Sequence, residues 1–270
     1  MKEYETQNEY RLLYARAEEL TRRAENGVPA SGTFLTFGEQ NAVSSYMRSL
    51  RLGERLLLWG GYEDAERKKA FFVPDRLLPI TEEDDITYLL QSSFGDPISA
   101  LELTGSGYKE LGNRDWLGAI LNLGVERDAC GDIRTAGSHT AYMVCDRSVA
   151  GLILSDLIRV GKDTVKVREI SFYELAELLP EREYEKISDT VPAARLDAVV
   201  GALCRLPREK AKNAVLSGAV QKGGEPAQKP DAAVENGDII SVRGYGKFRI
   251  VSVDEKNKKG RLRMSALKYK

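Results

Sequence analysis

ARLDAVVGALCRLPREKAKNAVLSGAVQKGGEPAQKPDAAVENGDIISVRGYGKFRI, residues 194–250, decides the reading of the chain. Leu196, Val199, Val200 and Leu203 fall three and four residues apart, the apolar stripe of a helix predicted over Arg195–Leu203. Pro207 stands where prolines open helices, and Arg208–Leu216 is predicted as a second helix with Ala211, Ala214 and Val215 turned inward. Arg208 and Lys212 are four apart and share an exposed face, with Lys210 near its edge. Gly218 ends that helix. VQKGGEPAQKP (220–230) reads as irregular, Asn236-Gly237-Asp238 as a turn, and Ile239–Val242 as a strand. Gly244-Tyr245-Gly246 turns into a strand over Lys247–Val253. After a turn at Asn257–Gly260, Leu262, Met264 and Ala266 alternate with Arg261, Arg263 and Ser265, the pattern of a half-buried strand with one basic side. Two short helices followed by a small sheet are therefore expected from about residue 192.

Working toward the N-terminus, residues 97–171 predict strands at Ile98–Leu103, around Ile133, at Ala141–Cys145 and at Thr164–Ile170. Helices are predicted at Asn113–Leu121, capped by Asn113, and at Ser148–Ile158, capped by Ser148. The order β-α-β-β-α-β is the split βαβ plan. Many RNA-binding domains share that plan, but only Tyr142 offers an aromatic on the third strand, so RNA binding by the sheet face is not inferred. Pro180 interrupts Ser171–Lys186, read as a connecting segment. Further back, helices are expected at 7–25 and Glu39–Leu50, with Gly38 as a turn, and strands at Arg55–Trp59 and Ala70–Val73 around Gly60-Gly61. Arg67-Lys68-Lys69 reads equally well as a phosphate contact or a solvated face. The expected division is a small α/β region over 1–80, an α-β plait over 81–175, a linker over 176–191 and a basic module over 192–270.

Charge separates these parts. Residues 191–270 carry 17 Lys+Arg and 8 Asp+Glu, a net +9, whereas 1–190 carry 23 and 33, a net −10. A basic module behind an acidic body points to an anionic partner for the former. Such a partner could be nucleic acid or a membrane surface. Arg195, Arg208, Lys210 and Lys212 on the predicted helices, Lys222 and Lys229 on the irregular tract, and Arg243, Lys247 and Arg249 around the second turn are the candidate contacts. Asp197 would repel phosphate, so it is expected to orient Arg195 or a backbone donor.

Other chemistries are disfavoured. One His among 270 residues leaves a nucleophilic triad only His139, in a GSHT loop near Ser138 and Cys145. Cys130, Cys145 and Cys204 lack CxxC spacing, so no structural metal or disulfide scaffold is expected. Gly105-Ser106-Gly107 and Gly244-Tyr245-Gly246 do not continue as nucleotide-binding loops. Asp115 reads as a first-turn dipole partner, and neither it nor Asp132 as catalytic. The expectation is a chain without enzymatic activity, cofactor or metal. MKEYETQNEYRLL is too polar for a signal peptide and no apolar run reaches 18 residues, so a cytoplasmic protein with no membrane partner is expected.

The stretch quoted first resembles an S4 RNA-binding domain. Arg195-Leu196-Asp197, Pro207-Arg208-Glu209-Lys210-Ala211, Gly218-Ala219-Val220, Lys229-Pro230, Gly237-Asp238, Val242-Arg243-Gly244 and Gly246-Lys247-Phe248 follow that family's pattern in order. The usual Val-Asn-Gly tract departs to Lys222-Gly223-Gly224, and Pro207 replaces a serine. FLTFGEQ, LLLWGGYEDAERKKAFFVPD and LGNRDWLGAILNLGVERDACGDI are similar to the YlmH family of bacterial S4 proteins, over nearly the whole chain. That resemblance implies an N-terminal α/β region, a central RRM-like plait and an S4 tail whose candidate contacts meet RNA. It implies association with the large ribosomal subunit, its rRNA and peptidyl-tRNA, alongside other quality-control factors, in C-terminal tailing of stalled chains. The alternative it leaves is an adaptor linked to cell division, tethered to RNA by the S4 module.

Overall fold

A computed structural model describes residues 10–81, 84–257 and 260–269. The chain divides into two compact units, Met1–Pro180 and Glu181–Lys270.

The first unit begins with α1 (Arg11–Glu25), β1 (Ala30–Leu35), α2 (Phe37–Ser49), β2 (Leu56–Trp59) and β3 (Lys68–Phe72). Its strands form an antiparallel sheet in the order β1-β3-β2. β1 was not expected: its register shifts between Ser31 and Phe34, and that irregularity breaks the two-residue alternation. Gly38 is not a turn but lies in the first turn of α2. Thr36 caps that helix, accepting from Glu39 N while Glu39 Oε2 accepts from Thr36 N at 2.6 Å.

There follow α3 (Ile86–Phe94), β4 (Ile98–Gly105), α4 (Asn113–Asn122), β5 (Cys130–Ala136), β6 (Thr140–Asp146), α5 (Arg147–Asp156), the short β7 (Arg159–Val160), β8 (Asp163–Ile170) and α6 (Phe172–Leu178). The strands pair antiparallel in the order β5-β6-β4-β8-β7, and the four long ones have the split βαβ order. The caps lie one or two residues before the expected ones. Asp146, not Ser148, caps α5 by accepting from Ser148 N, and α4 starts from Gly112, whose N–H is held by Asp115 at 3.0 Å.

Both faces of the long sheet are covered. Leu101, Leu103, Met143 and Cys145 pack with Trp116 and Ile120 of α4 and with Ala150 and Ile153 of α5. On the other side Ile98, Ala100, Val144 and Ile170 pack with Phe34, Phe71, Leu90 and Phe172. α1 and α2 cover the far side of the small sheet through Leu20, Val43, Met47 and Phe72. The first unit is thus layered helix, sheet, sheet, helix.

Arg67 and Lys69 of the basic cluster fit neither expected reading. Arg67 donates to Phe34 O (2.7 Å) and Cys130 O (3.0 Å), and Lys69, 3% exposed, is paired with Asp146. Burial and the neighbouring Arg127 charge lower the Arg67 pKa. Asp132 accepts from Tyr62 Oη (2.6 Å), Glu66 N (2.7 Å) and Arg67 N (2.9 Å). These residues lock the N-terminal segment onto the plait. Glycine is required there: a Cβ on Gly61 (φ +93°) would lie 2.8 Å from Phe172 and 2.9 Å from Val144.

The second unit contains β9 (Tyr184–Val191), α7 (Leu196–Cys204), α8 (Arg208–Leu216), β10 (Val220–Lys222), β11 (Glu225–Pro226), β12 (Ile239–Val242), β13 (Gly246–Ser252) and β14 (Leu262–Tyr269). Its sheet runs β11-β10-β12-β13-β14-β9. The segment expected as a linker therefore ends in a strand, with β9 paired to β14 from Tyr184↔Tyr269 to Val191↔Leu262. The tract read as irregular begins with a hairpin, β10–β11, turned by Gly223 (φ +64°) and Gly224 (φ +86°). Leu196, Val199, Val200, Ala211 and Val215 bury their side chains with Ile240, Phe248, Ile250, Met264 and Ala266. At about 1.5–3 kcal/mol per large apolar side chain, this seam fixes the two helices on the inner sheet face.

Candidate RNA interface

The helices carry one side of the candidate interface because of Asp197. It stands in the first turn of α7 and is 1% exposed. Arg195, the residue before the helix, binds it with two prongs, Nε to Oδ1 and Nη2 to Oδ2, both 3.1 Å. Arg208, at the start of α8, places Nε 3.4 Å from Oδ2, and Ala198 N donates to Oδ1 at 2.9 Å. Burial works against the Asp197 charge, but these bonds outweigh it and hold the carboxyl below its ordinary pKa. The arginine side chains remain 41% and 63% exposed. A sunken carboxylate thus fixes two guanidinium groups while leaving their outer N–H groups to meet an anion.

Lys212 stands exposed one turn beyond Arg208. Lys210 is exposed too, but at about 100° per residue it points some 200° around α8 from Arg208, away from the face where it was expected. Lys229 belongs with the cluster through the backbone. Its loop returns to α7, where Pro230 O accepts from Asp197 N (2.8 Å) and Ala232 O from Leu196 N (2.9 Å).

The remaining candidates lie elsewhere. Lys222 is half-buried, with Nζ 2.9 Å from Asp238 Oδ2, and already has a carboxylate partner. Arg243 is exposed at the end of β12, its N–H bound to Ala219 O beyond α8. Lys247 and Arg249 flank the inward-facing Phe248, so they project from the sheet face opposite the helices. There Lys247 sits over the Tyr269 ring (5.1 Å) and Arg249 over Tyr184 (5.7 Å), while the two rings meet edge-on at 5.2 Å. The nine predicted cations are therefore spread over more than one surface. Tyr184, Tyr269 and the exposed Arg205 between the helices were not foreseen. Only the β9–β14 register reveals the tyrosine pair, because those strands are far apart in sequence.

No triad is assembled around His139. Its Nδ1 is 3.1 Å from Lys109 O, and Cys145 lies six residues further on, about 20 Å along β6. The cysteines are free and buried, and burial pushes the Cys204 thiol up to about 11 and that of Cys145 higher still. Among the described residues no group of three or more His, Cys, Asp or Glu is placed to hold a metal ion, and no helix is long and apolar enough to cross a membrane.

The split βαβ plan of the first unit is one that many RNA-binding domains share. Residues 99–174 match the family described as "Putative RNA-binding domain in YlmH". Over 233 residues the chain is 29% identical to the "Ribosome-associated protein quality control protein P2" of Bacillus subtilis (strain 168), covering 86% of this chain and 84% of that protein. A solved structure, "Cell division protein ylmH from Streptococcus pneumoniae", is similar at 18% identity and a TM-score of 0.49, over 64% of this chain and 95% of that one.

Proposed function

We propose that the chain is a non-catalytic RNA-binding factor of the large ribosomal subunit. In this reading it engages rRNA and peptidyl-tRNA when a nascent chain has stalled, and assists rescue and C-terminal tailing. The observation that carries the reading is the Asp197-held pair Arg195 and Arg208, with Lys212 and Lys229 beside it. Paired guanidinium groups and neighbouring ammonium groups suit phosphate oxygens, and structured RNA is met largely through its backbone and shape. The S4 pattern over residues 195–248 and the similarity to a ribosome-associated quality-control protein supply the ribosomal context. Assignment of residues 192–270 to an S4 domain and of the plait to an RRM-like domain is part of the same proposal. The test is crosslinking of the full chain in cells with sequencing of the attached RNA. Large-subunit rRNA and tRNA are expected. Messenger RNA alone, or no RNA, would contradict the reading and leave a protein adaptor as the better account.

A further inference from the structure

The plait lacks the open sheet on which RRM-type domains stack bases. Ile98, Ala100, Val144 and Ile170 are buried under Phe34, Phe71 and Phe172. A nucleobase contact by this region has to use another surface, and one loop is built to present an aromatic ring. Residues 106–112 join β4 to α4. Asp163, 1% exposed, accepts from Ser106 N (2.9 Å), from Ser106 Oγ and from Lys109 N (3.4 Å). From the β5–β6 turn, His139 O accepts from Gly105 N (2.7 Å) and Ser138 O from Leu111 N (2.9 Å), while the His139 ring lies against Lys109 O. Leu111 is buried, and Gly107 (φ +89°) makes the bend between the anchors.

At the tip of this pinned loop Tyr108 is 70% exposed. Two other tyrosines of the segment are strongly exposed, but both stand on helices rather than on a loop: Tyr88 (67%) on α3, and Tyr173 (61%) on α6 with its hydroxyl bound to Asp85 (2.5 Å). Lys109 is next in sequence, in a surface pair with Asp115 at 3.1 Å. The exposed Arg114 and Lys162 are the sequence neighbours of Asp115 and Asp163, and Glu110 is the one acid within the loop itself. A surface pair of this kind is weak, so a phosphate can compete for Lys109. A ring carried on a loop whose backbone is already pinned costs little loop ordering on stacking, and neighbouring cations suit the phosphates on either side.

We propose that the 106–112 loop is a second RNA contact, in which Tyr108 stacks on an unpaired base of single-stranded RNA and Lys109, Arg114 and Lys162 take adjacent phosphates. This rests on the RNA-binding reading above, with a separate surface and a separate test. The full chain is titrated against a short, labelled single-stranded RNA of mixed sequence, and photocrosslinked to the same probe carrying 4-thiouridine. Tyr108→Ala should weaken binding about tenfold, within the range of base–aromatic stacking, and Tyr108→Phe should bind within about twofold of the parent. The loss should persist in an Arg208→Ala/Lys212→Ala background, and the crosslink should map to the peptide carrying residue 108. Unchanged binding by Tyr108→Ala, an equal loss with Phe, or no binding of the single-stranded probe by the parent would each overturn the loop proposal. If the parent still binds rRNA and tRNA, only the loop proposal falls; if it binds none of these, the wider reading falls with it.

Discussion

Each unit sinks a carboxylate beneath its surface, and what that carboxylate holds separates them. In the first unit Asp132 and Asp163 accept mainly from backbone N–H groups, and Asp146 takes the buried Lys69. The charge is used up inside, locking segments together. In the second unit Asp197 is as deeply buried as Asp163, but its arginines keep their outer surfaces in water. The same device closes one surface and arms the other. It follows that the sign and number of charges do not mark an interface; what matters is whether the cation remains exposed after its partner is satisfied.

The broadest way to break this comparison is to remove residues 181–270. Most association with the large subunit should disappear, as read by co-sedimentation at ordinary salt. Undiminished co-sedimentation would move the main contact into the first unit. The cut belongs at 181 rather than 191, because β9 completes the sheet along the whole of β14.

Next in size is Gly61→Ala. A methyl group there meets Phe172 and Val144 at under 3 Å with φ at +93°, so a loss of about 2–4 kcal/mol is expected in denaturant unfolding of the first unit. RNA binding by an isolated 181–270 fragment supplies the contrasting baseline.

Asp197→Ala should cost about 2 kcal/mol in the stability of the second unit, since hydrogen bonds to charged groups are lost. It should also weaken RNA binding, although it removes a negative charge, because Arg195 and Arg208 lose their fixed positions. Stronger binding would mean the carboxylate merely repels phosphate. The pH dependence has a definite sign. The folded-state pKa of Asp197 lies below its unfolded value, so its stabilisation is present above about pH 4 and is lost as pH falls through the folded value. Acid unfolding of Asp197→Ala should accordingly lack that part of the slope.

The helices of the second unit were legible because Leu196, Val199, Val200 and Leu203 on α7, and Ala211, Ala214 and Val215 on α8, each recur at helical spacing and turn one stripe inward. The β-α-β-β-α-β order was legible for the same reason. What stayed hidden depends on contacts distant in sequence. β1 is bulged, β9 is defined only by β14, and the fate of Arg67 and Lys69 depends on carbonyls and a carboxylate that lie on other elements. In the candidate interface, local spacing could pair Arg195 with Asp197 and Arg208 with Lys212, but not Arg208 with Asp197, eleven residues away on the other helix. It could not show that Lys222 is taken by Asp238, or that Lys247 and Arg249 cross to the opposite sheet face.

The central claim is that the exposed cations of the α7–α8 face hold RNA phosphate. Equilibrium binding of Arg208→Ala/Lys212→Ala to large-subunit particles carrying peptidyl-tRNA, at several salt concentrations, tests it most directly. Both side chains lie outside the apolar seam, so circular dichroism should be unchanged. Affinity should fall by about 1 kcal/mol per side chain, and the salt dependence should flatten by about two phosphate contacts. Lys222→Ala, in the same unit but already paired, should bind as the parent does. A double variant with the parent's affinity and salt slope would show that this face is solvent and that the RNA surface lies elsewhere.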